Sequence, residues 1–190
     1  MERNLPHSLK RKSFYIKLSS VAIIFIALFS TQKCFAVLKT STGTGNWNAG
    51  ATWTPVGVPA NGDDVVIAAG HTVTIDITTN NILSLTVNGA IIVGNNNVSR
   101  LVNITGNVLI NATGVFAVGA FNAAHILNVS GNITNNGILN LRVSNNRYCE
   151  LRFNGISNQF LSGTGTSNNF ESILINNTGA SGNNIIIINP

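Results

Sequence analysis

Few side chains beyond residue 36 could act as catalytic acids, bases or nucleophiles. His71 and His125 are the only imidazoles there, and Cys149 is the only thiol. A nucleophilic triad needs a Ser or Cys, a His and an acid in contact, and neither His stands in a recognisable motif. We therefore predict no catalytic residue. We interpret Cys149 as a small buried hydrophobic side chain, because no His lies near it in the sequence to activate the thiol.

Carboxylates are also sparse beyond residue 36. A glycosidase needs two of them on facing positions, and the five present are Asp63, Asp64, Asp76, Glu150 and Glu171. His71 and Asp76 lie at opposite ends of one strand-like run, so they would share a face only if the run bends. Asp63 and Asp64 could ligate calcium, but no repeated acidic loop accompanies them, and a turn or strand-start role fits better. The sequence predicts no metal site and no cofactor.

One charged cluster, RVSNNRYCELRF, interrupts an otherwise uncharged pattern. It contains Arg142, Arg147 and Arg152 around Tyr148, with Glu150 among them. These side chains could bind an acidic polysaccharide, which would be the best indication of an enzyme such as a β-helical lyase. The sequence favours a solvated face with local ion pairs, because exposed charges need no special purpose.

The elements that would position these side chains are short β-strands. From Asp63 onward, Val, Ile and Leu runs are punctuated by Gly and Asn, and no stretch keeps helical apolar spacing. In the run His71 to Thr78, aliphatic residues alternate with Thr and Asp, as a strand with one buried face requires. The pattern indicates an all-β fold.

The same strand-and-turn units recur along the chain. LVNITGNV at residues 101–108 matches ILNVSGNI at residues 126–133 by identity or close replacement, at an offset of 25 residues. One series of strand units closes on a glycine, at positions 89, 106, 131 and 155. A second series opens on a glycine, at positions 89, 114 and 137. This spacing predicts a right-handed parallel β-helix over residues 63–190, incomplete at Pro190, since each coil pairs its backbone with the next. An antiparallel sandwich is the competing fold, but its strands have no reason to repeat their sequence.

Asparagine is abundant within the repeats. Asn103, Asn107 and Asn111 recur 25 residues later as Asn128, Asn132 and Asn136. Stacked amides can form a hydrogen-bonded ladder from coil to coil, and Asn also tolerates tight corners. We predict a structural role for these six residues rather than ligand binding.

The first 36 residues have the composition of a removable signal peptide. Basic residues precede the apolar run Val21 to Phe29, and Ala36 suits the cleavage site. The uncharged stretch between Lys17 and Lys33 is 15 residues long, which is shorter than the roughly 20 residues of a membrane span. We therefore expect no membrane span after cleavage.

Cleavage would leave five basic and five acidic residues. A neutral chain offers no basic patch, which argues against nucleic-acid binding. With Cys34 removed, no internal disulfide can form.

Residues 46–76, NWNAGATWTPVGVPANGDDVVIAAGHTVTID, look like a signature. They resemble the entry segment of large secreted bacterial β-helical surface proteins that use type IX secretion, and the related eight-glycine extracellular domain. The matching residues are Trp47, Trp53, Pro59, Gly62, Asp63, Val65, Ile67, Gly70, Val73 and Asp76. The resemblance implies an N-terminal cap over residues 37–62 that closes the first coil, and it implies no catalytic residue. We expect Trp47, Trp53, Pro59 and Gly62 to act in cap packing.

These observations predict a secreted or cell-surface structural and adhesive module without catalysis, whose partner would be a surface polysaccharide or a host surface. A polysaccharide-active lyase or glycosidase fragment is the alternative. An ice-binding solenoid is a third hypothesis, resting on Thr72 and Thr74, although their spacing is not repeated in later coils.

Overall fold

The protein is an all-β parallel solenoid of about six turns. A computed structural model describes residues 36–179 and 186–188, and these residues include no α-helix. Three mainly parallel sheets, which we call A, B and C, form the sides of the solenoid. The predicted parallel β-helix is therefore confirmed as a fold, and the competing antiparallel sandwich is wrong.

Sheet A has eight strands, and sheet B has six. Sheet A consists of β1 (Leu38–Ser41), β3 (Trp53–Thr54), β4 (Asp64–Ile67), β7 (Ser84–Val87), β10 (Val108–Ile110), β13 (Ile133–Asn135), β17 (Gln159–Ser162) and β20 (Ile186–Ile188). Sheet B consists of β2 (Gly45–Asn46), β5 (Thr72–Ile75), β8 (Ala90–Val93), β11 (Val115–Val118), β14 (Ile138–Asn140) and β18 (Ser167–Asn169).

Sheet C completes the coil. It consists of β6 (Asn81–Ile82), β9 (Leu101–Ile104), β12 (Ala123–Val129), β15 (Arg142–Ser144), β16 (Arg147–Phe153) and β19 (Ile173–Ile175). A typical coil contributes one strand to each sheet, as β7, β8 and β9 do. Strand β15 is an addition, because it pairs antiparallel with β16.

The 25-residue sequence repeat matches the register in which strands of successive coils pair. Leu101 in β9 pairs with Ile126 in β12, and Val108 in β10 pairs with Ile133 in β13. Equivalent side chains therefore stack on one another from coil to coil, and the 25-residue offset predicted this pairing correctly.

Alternation within each strand fills the interior with apolar side chains. In β5 and β8 the buried positions are Val73, Ile75, Ile91 and Val93. Phe116 continues the column of Val73 and Ile91 in sheet B, and Phe153 stands in an inward column of sheet C. Burying this aliphatic core drives folding, since the described residues contain no disulfide.

Glycines mark corners where successive coils come too close for a side chain. A Cβ atom on Gly131 would lie 2.4 Å from the carbonyl oxygen of Gly106 and 2.5 Å from Oδ1 of Asn107. A Cβ atom on Gly114 would lie 2.2 Å from the carbonyl oxygen of Val87. The glycine series in the sequence therefore records close backbone approach.

A short antiparallel return of the chain closes the N-terminal edge of the solenoid. Strands β1 and β2 already pair in parallel with β4 and β5. The chain then makes a 3₁₀ turn over Gly50–Thr52 and returns as β3, which pairs antiparallel with β1. This return covers the backbone edge that β1 would otherwise expose.

Candidate functional site

A groove opens at the corner where sheet A turns into sheet B. The turns there alternate in length, because residues 68–71, 111–114 and 163–166 connect the two sheets in three coils, whereas residues 88–89 and 136–137 connect them in the intervening coils. The short turn at Asn88 and Gly89 is thus recessed between two longer ones. The resulting cavity has a volume of about 370 Å³, which lies within the range of about 300–1,000 Å³ that is usual for small-ligand sites.

The groove combines an apolar floor with polar groups. It is lined by Ala69, Gly70, His71, Thr72, Asn88, Gly89, Ala90, Thr113 and Val115. Ala90 and Val115 are paired neighbours on the outer face of sheet B. No lysine, arginine or carboxylate side chain is among these lining residues.

Several polar groups of the groove are already held by the protein. Asn88 accepts a hydrogen bond at Oδ1 from Asn111 Nδ2 at 2.5 Å, and its carbonyl accepts one from Thr113 Oγ1 at 2.9 Å. Within the described residues, Nδ2 of Asn88 and Oγ1 of Thr72 form no hydrogen bond. These two groups are therefore available to a ligand.

His71 is fixed from its other side. Its Nδ1 lies 2.9 Å from Oγ of Ser41 and 3.1 Å from the carbonyl oxygen of Ser41. Oγ of Ser41 also accepts the backbone N–H of Ala68 at 2.9 Å, and Ser41 is buried. Sequence reasoning missed this Ser–His contact, which spans 30 residues. Because the hydroxyl lies inside the coil, the pair anchors the imidazole.

His125 and Cys149 form a second unexpected pair. They are register neighbours on the inward faces of β12 and β16, and both are buried. Nδ1 of His125 accepts the backbone N–H of Arg100 at 3.1 Å. Burial and then the charge of Arg100 lower the pKa of His125, whereas burial and then Glu150 raise the pKa of the Cys149 thiol. The thiol is therefore held protonated and shielded.

The charged cluster lies on sheet C, away from the residues that line the groove. Arg142 forms an ion pair with Glu171, and Arg152 forms one with Glu150. Arg147 donates from Nη1 to the carbonyl of Ala120 at 3.0 Å.

Tyr148 in β16 is the antiparallel register partner of Arg142 in β15. Because of the two ion pairs, two of the three predicted polysaccharide-binding arginines are engaged by neighbouring carboxylates of the same chain.

Two indoles in edge-to-face contact lie among the residues predicted to pack in the cap. Trp47 and Trp53 are fully buried, and their rings meet edge to face with centroids 5.0 Å apart. Nε1 of Trp53 donates to the carbonyl of Trp47 at 2.9 Å, whereas the buried Nε1 of Trp47 has no partner among the described residues. The carbonyl of Pro59 accepts Nδ2 of Asn80 at 2.9 Å, and Gly62 has a φ of 83°, which favours glycine.

The acidic residues next to the cap bind backbone and hydroxyl groups. Oδ1 of Asp63 accepts the N–H of Val37 at 3.0 Å, and Oδ2 accepts the N–H of Ala60 at 2.8 Å. Asp64 accepts the hydroxyl of Ser84. Residues 36–179 and 186–188 hold no group of three or more His, Cys, Asp or Glu side chains that could coordinate a metal ion.

The asparagine residues make contacts between coils. Asn128 donates from Nδ2 to Oδ1 of Asn103 at 2.8 Å, and Asn132 donates its backbone N–H to Oδ1 of Asn107 at 2.8 Å. Asn111 contacts Asn88 as described above. Oδ1 of Asn136 accepts the N–H of Thr164 at 3.1 Å. The amides thus hold adjacent coils in register.

Thr72 and Thr74 both lie on the outer face of β5. Their neighbours along sheet B are Ala90 and Ile92 in β8, followed by Val115 and Ala117 in β11. Each threonine is therefore followed along sheet B by apolar residues, not by further threonines.

The described part of the chain includes no helix with the length and hydropathy of a membrane span. In a comparison with protein families, the G8 domain matches residues 52–169. The G8 domain is typical of extracellular proteins. Neither the search of curated proteins nor that of solved structures found a match.

Proposed function

The chain belongs to the G8 domain family, and from this premise we propose that it is a secreted or cell-surface module with a structural and adhesive role and no catalytic activity. The observation that carries the proposal is the unbroken parallel pairing of coils along sheets A and B. Such a solenoid is stiff and presents long lateral faces, which suit display and attachment.

The proposal includes export by a signal peptide at residues 1–36, with a cap over residues 37–62 and solenoid coils over residues 63–190. The contact between Val37 and Asp63 supports cleavage after Ala36. Cleavage there would turn the N–H of Val37 into an α-ammonium group next to a buried carboxylate. Charge-assisted hydrogen bonds of this kind are about twice as strong as neutral ones.

Two finer features complete the proposal. We propose a right-handed coil, because parallel crossover connections are right-handed in about 98 % of cases. We also propose that the chain is type IX cargo with an eight-glycine-like entry motif, on the strength of residues 46–76. The external partner would be a surface polysaccharide or a host surface.

The test is to locate the native protein in the cells that produce it. We expect an antibody to find it in the medium or on intact cells, with a mature N-terminus at or within a few residues of Val37 by mass spectrometry. A gene deletion should reduce attachment of the cells to polysaccharide-coated surfaces. A cytosolic protein that retains Met1 would contradict the proposal.

The enzyme alternative is tested with the purified mature protein. A reducing-end assay and absorbance at 235 nm over a panel of acidic and neutral polysaccharides would detect a glycosidase or a lyase. Release of oligosaccharides that depends on Arg147 or Tyr148 would favour that alternative. Thermal hysteresis lost in Thr72→Val would instead favour ice binding.

A further inference from the structure

We propose that the groove between residues 69–72, 88–90 and 113–115 binds a neutral saccharide. The inference rests on the proposed extracellular location, where glycans are accessible. It concerns a site separate from the arginine cluster of sheet C. Three properties of the groove carry it, namely its charge, its free hydrogen-bonding groups and its shape.

The lining has no lysine or arginine side chain that would attract an acidic ligand. The cations of the described chain lie elsewhere, since Lys39 donates from Nζ to the cap carbonyls of Pro55 and Val56 at 2.9 and 3.4 Å. The arginines contact the loops and carboxylates of sheet C and its corner. An anionic sugar entering the groove would lose hydration without meeting a lysine or arginine side chain, so the site favours neutral sugars.

The free polar groups match the hydroxyl groups of a sugar. A sugar hydroxyl both donates and accepts, and it needs partners of both kinds. Asn88 offers the donor Nδ2, and Thr72 offers a hydroxyl that can donate or accept. With Nδ1 of His71 held by Ser41, the Nε2 of that ring has no partner within the described residues. These three groups line one cavity.

The floor suits the apolar side of a sugar ring. Ala90 and Val115 are adjacent, outward-facing and partly exposed, so a ring can lie on their methyl groups while its hydroxyls reach the walls. Binding sites for small ligands commonly combine such an apolar surface with a few fixed polar groups. Since the walls are the long turns of two coils and the short turn of a third coil lies between them, the groove runs parallel to the coils, and a linear oligosaccharide would lie along that direction.

The experiment is calorimetric titration of the mature chain with neutral hexasaccharides (cellohexaose, mannohexaose and chitohexaose) and with acidic hexagalacturonic acid. Thr72→Val removes the groove hydroxyl, and Thr74→Val, two residues along the same outer face, is its matched control. Ala90→Arg fills the groove, and Ala117→Arg places the same side chain on the neighbouring strand outside it. Circular dichroism and melting temperature establish that each variant is folded.

We expect saturable binding of at least one neutral hexasaccharide. Since blocking the floor removes the central contacts, Ala90→Arg should raise Kd about tenfold or more, and Thr72→Val should raise it several-fold. The two control variants should leave Kd within about twofold of the wild type.

Three results would overturn the proposal. The first is the absence of saturable binding to every neutral hexasaccharide, and the second is a Kd that Ala90→Arg and Thr72→Val leave unchanged. The third is preferential binding of hexagalacturonic acid that is lost when Arg142, Arg147 and Arg152 are replaced together, which would assign recognition to sheet C. None of these results changes the location or processing of the protein, so failure of the site is distinguishable from failure of the proposed function.

Discussion

The corner glycines should be intolerant of a single methyl group, and Gly131 gives the clearest case. In Gly131→Ala the new Cβ would lie 2.4 Å from the carbonyl oxygen of Gly106, and relief to an ordinary contact of 3.4 Å requires a shift of about 1 Å. That shift stretches the bond from the N–H of Gly131 to the carbonyl of Gly106, now 3.0 Å. It also displaces the bond from Asn132 to Asn107, now 2.8 Å.

Two hydrogen bonds at about 1 kcal/mol each give a loss of roughly 2 kcal/mol, with more if a buried group is left unpaired. The smaller entropy of the unfolded alanine chain offsets about 0.4–1 kcal/mol of that loss. We therefore expect Gly131→Ala to lower the free energy of unfolding by about 1–3 kcal/mol. For a domain of this size, the melting temperature should fall by roughly 3–10 °C.

The assay is thermal unfolding followed by circular dichroism, with Gly43→Ala as the matched control. A Cβ atom on Gly43 would meet nothing within 4 Å, and the φ of Gly43 is not positive. The control should therefore show only the entropic gain and melt at the same temperature or slightly higher. If Gly131→Ala melted no lower than Gly43→Ala, the close approach of coils would not be what requires glycine at the corner.

Three other outcomes follow from single contacts. Asn103→Ala removes the acceptor of a 2.8 Å bond from Asn128 and the donor of a 3.2 Å bond to the carbonyl of Thr79. Urea unfolding should therefore show a loss of about 1–2 kcal/mol, whereas the exposed Asn97→Ala should show almost none. The pKa of His125 is lowered in the fold, so the unfolded chain binds more protons as pH falls below about 6.5. The free energy of unfolding in urea should therefore decrease as the pH falls from about 6.5 through the lowered pKa of His125. His125→Gln should weaken this pH dependence. If the pH dependence of the variant equals that of the wild type, His125 is not its source. The buried thiol of Cys149, whose pKa is raised, should resist a thiol reagent at pH 8 in the native protein and react fully in urea, and rapid native labelling would contradict its burial.

The sequence repeat predicted the part of the fold that depends on stacking. The 25-residue offset between residues 101–108 and 126–133 gives the register of β9 with β12 and of β10 with β13. It also places Asn103 beside Asn128. Self-similarity succeeds here because parallel coils must present matching side chains to one another.

The contacts that the sequence analysis did not predict were missed for different reasons. His125 and Cys149 are 24 residues apart, the same spacing as Gly131 and Gly155, so the repeat could have revealed that they are neighbours. The contact of Ser41 with His71 lies where the sequence does not repeat, and no periodicity could indicate it. The groove depends on the different lengths of successive turns, which become visible only when the strand ends are known.

The alternation of long and short turns has a consequence for the geometry of this edge. Its translational period is two coils, because the short turns at residues 88–89 and 136–137 are separated by one long turn. With parallel strands about 4.8 Å apart, equivalent positions recur at a pitch of about 9.6 Å. A solenoid extended on the same alternation would carry an evenly spaced row of recesses, and a polymer able to occupy several at once would be retained by avidity even where each contact is weak.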